Sequence, residues 1–524
     1  MRPSALAALA LAAAALAPAP APAAGPAARL VGKRVAQERE PGERFGSAVA
    51  ADGAAAVVGS PLRNSNLASQ TGRVHGLAGA DWADVTDIDS SFGAISSREL
   101  GTSAAIDGEL AVFGAPLYLV NNLYYAGGVY VYAAAGPGMW ALDSLLPAPT
   151  PVADKYVGLD VGLAQGRVIA GSLLDTPGAT GRAYAWTRLG PGMWSPPQTL
   201  EAPDPAGDDR FGLAVSVRGD RALIGAPGKD SARGAAYVFQ WTGAEWVDAG
   251  RLVAVERQPN ERFGTSVAID GDVAVVGAPG RDADSGAAFV FEKRGDLWIE
   301  RAALVPADRE PASLHGWTVA LRGPHAVVAA LDHGLDPNTP DLGGSGRAVW
   351  YGRLTDGAWT QLATIAAEDG IPGDRLGWSV ALEDGAALVG APGDDESLGA
   401  VYVFRLELPD GAACAAATDC ESGACCDDVC APACGPSTTT DAATDTGSTD
   451  PTEGTAATSD TPSPPALDLE PAADPGCACA SQPVPGDSIL AALALLALGR
   501  TPRRRRSAVA HAARPSPACH RSHR

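Results

Sequence analysis

Cysteine is the residue type whose distribution most restricts the chemistry of this 524-residue chain. None of the first 413 residues is Cys, and six then fall within one short segment: Cys414, Cys420, Cys425, Cys426, Cys430 and Cys434. Such clustering is typical of a small disulfide-bonded module in an exported protein, and the sequence does not choose among the many pairings. A zinc site is the alternative, although the spacings match Cys-x2-4-Cys ligand pairs only loosely and no His lies nearby.

The sequence carries none of the short motifs that identify common catalytic or nucleotide-binding sites. It contains no Gly-x-Ser-x-Gly, His-Glu-x-x-His, phosphate-loop or Gly-x-Gly-x-x-Gly pattern. We therefore predict no catalytic residue, no cofactor-binding residue and no enzymatic activity. A carbohydrate-active enzyme is the alternative, because the paired carboxylates of sugar hydrolysis need only meet in space.

Acidic and histidine side chains do not form a metal-binding pattern either. The pairs Asp282/Asp284 and Asp394/Asp395 are candidate calcium ligands, but calcium needs about six to eight oxygens. Solvated loop charge is therefore favoured, and no metal ligand or cofactor is predicted. Three histidines lie at separate places in and around one long loop, too dispersed for a shared metal: His315, His325 and His333.

The overall charge is acidic, with 39 Lys and Arg against 61 Asp and Glu and a formal net charge of −22. Such a chain repels nucleic acid phosphates, so nucleic acid is not a predicted partner. With 62 Gly, 42 Pro and many Ala and Val residues, the composition favours strands joined by turns.

One sequence pattern recurs along most of the chain, and its clearest copy is RFGTSVAIDGDVAVVGAPGRD, from Arg262 to Asp282. Seven copies are anchored on a glycine: Gly46, Gly101, Gly158, Gly212, Gly264, Gly316 and Gly377. A second anchor, Gly-Ala-Pro in its clearest form, begins 13 residues after each: Gly59, Gly114, Gly171, Gly225, Gly277, Ala329 and Gly390. The constant offset predicts that one structural register is kept in all seven copies.

Each copy is predicted to be a four-stranded antiparallel meander. A glycine between the anchors, such as Gly271 after Asp270, suits a tight turn and makes the first two strands a hairpin. A third apolar strand follows, as in Phe289-Val290-Phe291. A fourth strand begins near a tryptophan: Trp82, Trp140, Trp194, Trp246, Trp298 and Trp359.

The second strand of each copy is apolar almost throughout, as in Val273-Ala274-Val275-Val276, and such a strand needs cover on both faces. Seven meanders packed around an axis provide that cover, so we predict an all-β, seven-bladed β-propeller over residues 28–408. An open solenoid is the alternative. The seventh copy lacks a fourth strand. Residues 28–37 (ARLVGKRVAQ) lie at the same distance before the first anchor as the fourth strands lie before the later anchors, so they can supply this strand and close the ring.

The predicted loops differ between the two faces of the propeller. The turns from the first to the second strand and from the third to the fourth are short. The second-to-third loops and the connections between copies, such as PGRDADSG and ERQPNER, are longer and charged. Binding usually resides on long loops of a rigid scaffold, so we predict that this second face is the contact surface.

The repeat resembles the FG-GAP repeat of integrin-α-type β-propellers, in a bacterial short-loop variant. Its best-matching openings are Phe45-Gly46, Phe211-Gly212 and Phe263-Gly264. The resemblance implies an extracellular adhesion module without enzymatic activity. Calcium-binding copies in that family carry an Asp-x-Asp-x-Asp-Gly-type loop between the anchors, whereas Ile269-Asp270-Gly271-Asp272 here is only a tight turn. Calcium is therefore not favoured at these positions.

The segment before the propeller has the features of a signal peptide, predicted over residues 1–24. Arg2 precedes the apolar stretch 5–17, and Ala21-Pro22-Ala23 is a small-residue cleavage pattern. A disordered Ala/Pro leader is the alternative.

Two segments are predicted directly after the propeller. Residues 411–435 form the Cys-rich disulfide module, and residues 436–475 form a disordered stalk rich in Thr, Ser, Asp and Pro.

Within residues 476–506, Cys477 precedes an apolar stretch, 489–498, and an Arg cluster. This order resembles the C-terminal sorting signals of myxobacterial surface proteins, which implies that the surface anchor is processed at Cys477. The ten residues of the apolar stretch would span about 15 Å as a helix, whereas a bilayer core is about 30 Å thick. Membrane association is therefore predicted through the sorting signal only. Residues 507–524 are a basic tail.

These features predict an exported protein of the cell surface or outer membrane, released in part to the medium. It binds extracellular polysaccharide or a surface protein through the face with the long loops. A passive structural surface protein is a further alternative.

Overall fold

The computed structural model describes residues 27–62, 72–88, 99–118, 126–149, 155–173, 178–334, 343–383, 385–408, 420, 425–426 and 429–431. Several predicted features lie outside these residues. They are the leader, the stalk, the sorting signal, the basic tail, and the three cysteines Cys414, Cys434 and Cys477.

Seven antiparallel units form most of the described structure; six have four strands, and in one the fourth strand is split in two. The first strand of the chain is β1 (Ala27–Arg34). Blade 1 contains β2 (Ala48–Asp52), β3 (Ala55–Ser60), β4 (Arg73–Ala78) and β5 (Asp84–Ile88). Blade 2 contains β6 (Ala104–Asp107), β7 (Leu110–Ala115), β8 (Gly128–Gly136) and β9 (Met139–Pro147). Blade 3 contains β10 (Val161–Ala164), β11 (Arg167–Ser172), β12 (Arg182–Gly190), β13 (Met193–Trp194) and β14 (Gln198–Leu200).

The remaining four blades follow the same order. Blade 4 contains β15 (Val215–Arg218), β16 (Arg221–Ala226), β17 (Ala235–Trp241) and β18 (Trp246–Leu252). Blade 5 contains β19 (Ser266–Asp270), β20 (Val273–Ala278), β21 (Ala287–Arg294) and β22 (Leu297–Leu304). Blade 6 contains β23 (His315–Arg322), β24 (His325–Ala330), β25 (Arg347–Arg353) and β26 (Trp359–Ile365). Blade 7 contains β27 (Ser379–Glu383), β28 (Ala386–Ala391) and β29 (Ala400–Glu407).

The blades form a closed ring, which confirms the predicted seven-bladed propeller. Each first strand contacts the first strands of both neighbouring blades, and β27 of the last blade contacts β2 of the first. The fourth strand of blade 7 is β1, which pairs antiparallel with β29, so the predicted closure by the N-terminal strand is also confirmed. This strand ends at Arg34, three residues before the predicted end at Gln37.

The 13-residue offset between the anchors is a hydrogen-bond register. The N–H of Gly264 donates to the carbonyl of Gly277 at 2.9 Å, and Gly101, Gly158, Gly212 and Gly377 repeat this bond with their own second anchors. The second anchor also needs a small residue, because a Cβ on Gly277 would lie 2.1 Å from the carbonyl oxygen of Gly316 in the next blade. Backbone contact between neighbouring blades therefore explains the second glycine.

The fourth strands depart from the predicted pattern in two blades. Trp82 ends a short helical turn, Ala80–Trp82, and the strand begins after it. In blade 3 the strand is split into β13 and β14, because Pro196 and Pro197 between them have no N–H to donate to a neighbouring strand.

Short four-residue helical turns interrupt three of the second-to-third loops: Lys229–Ala232, Arg281–Asp284 and Asp394–Ser397. The described residues contain no helix long and apolar enough to cross a membrane.

The described part of the Cys-rich module packs against blade 7. Cys420 forms a disulfide with Cys430, and Cys425 and Cys426 are also disulfide-bonded. A short hairpin, β30 (Cys425–Cys426) and β31 (Val429–Cys430), lies here. Cys420 and Cys430 belong to the same buried cluster as Leu408, at the end of the last propeller strand. The module therefore extends the core of blade 7.

Candidate functional site

The two faces of the propeller differ as the loop lengths predict. The plain face is formed by the turns from first to second and from third to fourth strands. There Asp270 pairs with Val273, which leaves only two residues in the turn, and Gly271 takes a positive φ of 56°. The long-loop face is formed by the second-to-third loops and the blade connections. All three four-residue helical turns lie on it.

The seven first strands surround a central channel that contains two cavities. The upper cavity, of about 310 Å³, is lined by residues that follow the first-anchor glycines, where the first strands begin. The lower cavity, of about 200 Å³, extends along these strands toward the plain face. Because the blade connections end where the first strands begin, the upper cavity opens on the long-loop face. We call this opening the channel mouth.

Two tryptophans pack together at the channel mouth. Trp317 and Trp378 each follow a first-anchor glycine, in blades 6 and 7, and their ring centroids are 5.8 Å apart with the planes tilted by 50°. Leu314 and Leu331 of blade 6 and Leu213 of blade 4 complete this apolar cluster. Side chains from three blades therefore meet at the mouth.

The tryptophan pair is absent from the sequence-based site prediction, although a signal for it exists. Both residues occupy the position after the first-anchor glycine in consecutive repeat copies. Because first strands converge on the axis of a propeller, equivalent positions in neighbouring copies come close together there.

A ring of seven residues surrounds the channel mouth, each two positions before a first-anchor glycine. We call it the mouth ring: Arg44, Glu99, Tyr156, Arg210, Arg262, Leu314 and Arg375. All seven have φ between 50° and 59°. Backbone hydrogen bonds across blades hold this conformation; for example, Arg44 N–H donates to the carbonyl of Ser397 at 3.1 Å. Four of the seven are arginines, in a chain that is acidic overall.

The arginines of blades 1 and 7 lie within electrostatic range of each other. Burial, and then the like charge of Arg375, lower the pKa of Arg44, whereas Glu99 acts in the opposite direction. The guanidinium of Arg375 lies 5.8 Å from the ring centroid of Trp378, within cation–π range. Its Nε atom is buried and has no hydrogen-bond partner in the described part of the chain. The Arg375 guanidinium therefore lies beside the tryptophan pair, and the Arg44 guanidinium lies within electrostatic range of it.

One carboxyl group, Asp160, lines the upper cavity. It accepts backbone hydrogen bonds from Val161 at 3.0 Å and from Val215 of the next blade at 2.6 Å. Desolvation of this half-buried carboxyl group raises the pKa of Asp160 to about 7, against which these two hydrogen bonds act. Asp160 therefore belongs to the channel wall and joins blades 3 and 4.

The acidic loop pairs are bound by cations of the protein. Asp282 pairs with Arg309, and Asp395 pairs with Arg39 at 2.9 Å. Asp394 is buried and lies 2.7 Å from Lys33 of β1, so the interpretation of solvated loop charge is wrong for this residue. Among the described residues, no group of three or more His, Cys, Asp or Glu is arranged to hold a metal ion.

The histidines of blade 6 lie at separate places. His315 precedes the first-anchor glycine of its copy, where the best-matching copies have Phe. It is fully buried, and its Nε2 atom lies 3.2 Å from the Tyr351 hydroxyl. Burial lowers the pKa of His315 to about 3, so this side chain is neutral at physiological pH. His325 accepts a hydrogen bond from Trp350, and His333 lies 2.8 Å from Glu310.

A Ser–His–Asp network in blade 1 is a further feature that the sequence motifs did not identify. Ser60 Oγ lies 3.0 Å from His75 Nε2, and His75 Nδ1 lies 2.8 Å from Asp87 Oδ1. The order is that of a catalytic triad. Ser60 and His75 have no exposed surface, however, and Asp87 also pairs with Arg73. The network therefore satisfies buried polar groups, as Tyr237 and Asp204 do in blade 4 at 2.6 Å.

Comparison with known proteins agrees with this architecture. The family model described as FG-GAP repeat matches residues 194–239, 246–291 and 359–404. Each match begins at the fourth strand of one blade and ends in the third strand of the next. No curated protein matches the sequence.

Solved structures were also compared with the chain. One similar chain comes from "Crystal Structure of Mitotic Checkpoint Complex", with 12% sequence identity and a TM-score of 0.45. The match covers 76% of this chain and 98% of that chain. From the ring of blades and the three matched repeats, this protein is a seven-bladed β-propeller that carries FG-GAP repeats.

Proposed function

We propose that this protein is an exported, non-enzymatic binding module that contacts extracellular or envelope material through its long-loop face. The observation that carries the proposal is the difference between the two faces. The plain face has tight two-residue turns. The long-loop face combines longer loops with an apolar channel mouth and the four arginines of the mouth ring. Adhesion is the role that FG-GAP propellers typically have.

Export is supported by the cysteine chemistry. The disulfide between Cys420 and Cys430 requires an oxidising compartment to persist, and Cys425 and Cys426 are disulfide-bonded as well. The predicted signal peptide and the predicted C-terminal sorting signal fit a protein held at the cell surface or outer membrane.

The alternative of a carbohydrate-active enzyme is less favoured by the channel. Glycoside hydrolysis uses two carboxyl groups on either side of the scissile bond. Among the described residues, Asp160 is the carboxyl group of the upper cavity and Glu383 that of the lower cavity. Asp160 is bound by backbone N–H groups, and Glu383 pairs with Arg322 at 2.7 Å. Both carboxyl groups are engaged in the scaffold.

A capture experiment with matched surface variants tests the proposal. The purified full chain is incubated with extracellular matrix and envelope fractions, with calcium or with a chelator. Ile371→Asp changes a 60% exposed side chain of a blade connection on the long-loop face. Leu297→Asp changes a 69% exposed side chain beside a turn of the plain face. We expect capture in both buffers, several-fold weaker for Ile371→Asp and unchanged for Leu297→Asp.

Two results would contradict the proposal. Equal capture by both variants would show that the long-loop face is not the contact surface. Absence of capture by the unmodified chain would favour the structural or enzymatic alternative.

A further inference from the structure

We propose that the channel mouth is a binding site for a carboxylated sugar at the end of an acidic polysaccharide. In this assignment Arg44 and Arg375 bind the carboxylate, and an apolar face of the sugar ring packs on the exposed part of Trp378. The inference rests on the proposed function, because it names the ligand class of the long-loop face.

The first argument is local charge. Arg44 and Arg375 carry like charges at the rim of an apolar cluster, and Glu99 is the opposite charge near Arg44. A carboxylate between the two guanidinium groups would relieve their mutual repulsion. The planar guanidinium fork also matches a carboxylate in bidentate geometry.

The second argument is the unsatisfied donor. Arg375 Nε is buried and has no hydrogen-bond partner among the described residues. A buried donor without a partner is costly, so an anion that enters beside the Arg375 guanidinium and reaches Nε would remove that cost. The guanidinium also lies over Trp378, where it has lost part of its solvent shell, and this strengthens its interaction with an incoming anion.

The third argument is the apolar surface and its size. Trp317, Trp378 and Leu213 form the wall of a cavity of about 310 Å³. Ligand sites usually have volumes of about 300–1,000 Å³ and combine apolar walls with a few polar groups. This cavity is at the small end of that range, so it suits the end of a sugar chain better than a folded protein segment. One face of a pyranose ring consists mainly of C–H groups, and burial of these groups against an aromatic ring is favourable.

Calorimetric titration of the purified full chain tests this assignment. The probes are trigalacturonate, maltotriose as a neutral trisaccharide, and a sulfated trisaccharide as a second anion. We expect trigalacturonate to bind at least about tenfold more tightly than the other two probes. Arg44→Gln and Arg375→Gln should each weaken trigalacturonate binding about tenfold or more, because each removes a charge-assisted hydrogen bond. Trp378→Ala should weaken all sugar binding, and Trp378→Phe should restore part of it.

The matched control is Arg221→Gln. Arg221 also lies over a tryptophan, Trp298, at 6.0 Å, but this pair is on the plain face. The control should leave trigalacturonate binding within about twofold of the unmodified chain. Thermal unfolding of every variant separates lost binding from lost folding.

The outcomes separate this inference from the proposed function. If trigalacturonate does not bind, or binds equally well to Arg375→Gln, the carboxylated-sugar assignment is wrong. Preferential binding of the sulfated probe overturns it as well. In each case the proposed function still stands if matrix capture remains sensitive to Ile371→Asp and insensitive to Leu297→Asp.

Discussion

At the scale of single residues, buried polar groups hold neighbouring strands and blades together. Asp160 receives backbone hydrogen bonds from its own blade and from blade 4. Corresponding positions in other blades use hydroxyl groups: Ser266 donates to the carbonyl of Gly316 at 2.9 Å, and Ser379 donates to that of Gly46 at 2.8 Å. A carboxyl group in this position makes one blade junction sensitive to pH, whereas the serine junctions are not.

The titration of Asp160 predicts a pH-dependent stability difference. The folded-state pKa is about 7 and the ordinary value is 3.8, so the folded protein holds a proton that the unfolded chain releases. The contribution of Asp160 to stability therefore falls as pH rises from about 4 to about 7 and stays low above that. Asp160→Asn cannot ionise. We expect the free energy of unfolding of this variant, relative to the unmodified chain, to rise by about 3 kcal/mol across that interval.

Denaturant unfolding of the two proteins at pH 4.5, 6 and 8 measures this difference. A difference that stays constant with pH would show that Asp160 ionises normally in the folded protein.

The Ser60 network predicts an absence of serine-hydrolase reactivity. Because Ser60 and His75 are fully buried, a serine-directed fluorophosphonate should not label the folded chain. Ser60→Ala should lower the free energy of unfolding by about 1–2 kcal/mol, since it leaves His75 Nε2 without that partner. The two measurements are mass spectrometry after probe treatment and denaturant unfolding. Labelling at Ser60 that is lost in His75→Ala would instead identify a catalytic serine.

At the scale of elements, the partly buried Lys33 joins the closing strand β1 to blade 7, in addition to the backbone pairing with β29. Lys33 lies 2.7 Å from Asp394 and 3.0 Å from Asp369, while Tyr402 also hydrogen bonds to both carboxylates. Burial opposes the charge of Lys33, but the hydrogen bonds to Asp394 and Asp369 outweigh it and raise the pKa. The residue equivalent to Asp394 is Lys229 in blade 4 and Arg281 in blade 5. Each of these two cations pairs with a carboxylate of its own blade. Blade 7 thus takes its cation from the N-terminal strand.

Removal of this lysine should weaken closure of the ring. Lys33→Met leaves the nearly buried Asp394 without its cation, and we expect a loss of about 3 kcal/mol in the free energy of unfolding. Arg29→Gln is the matched control on the same strand. Its partner Glu407 and Arg29 itself are exposed, so the expected loss is below about 1 kcal/mol. Equal losses in denaturant unfolding would mean that Lys33 contributes no more than a surface ion pair.

Much of the element-level structure could be predicted from the sequence, for a physical reason. The 13-residue offset, the glycine at each first turn and the apolar second strand reflect interactions within one repeat copy, so they appear as local spacing. The contacts of Lys33 and the approach of Trp317 to Trp378 join different copies. Spacing predicts which copies are neighbours in the ring, but it does not show which side chains of neighbouring copies reach each other, so these contacts required the structure.

At the scale of the whole molecule, stability should not depend on calcium. The acidic loop residues are occupied by protein cations such as Arg309, Arg39 and Lys33, and tight turns replace the extended loops between the anchors. We expect the thermal unfolding midpoint to differ by less than about 1 °C between millimolar calcium and a chelator, because a ligand that does not bind the folded state cannot stabilise it. A calcium-dependent rise of several degrees would place a bound ion in the propeller.

The pairing of β1 with β29 has a mechanical consequence. Ala27 lies opposite Glu407, so the first strand begins beside the point where the last strand ends. Tension applied between these two points would open the pair like a zipper, one hydrogen bond at a time, which needs little force. Tension between the channel mouth and the C-terminal end of β29 would instead load many hydrogen bonds of blade 7 at once. A propeller that is tethered beyond Glu407 and holds its ligand at the mouth is therefore pulled along its stronger direction.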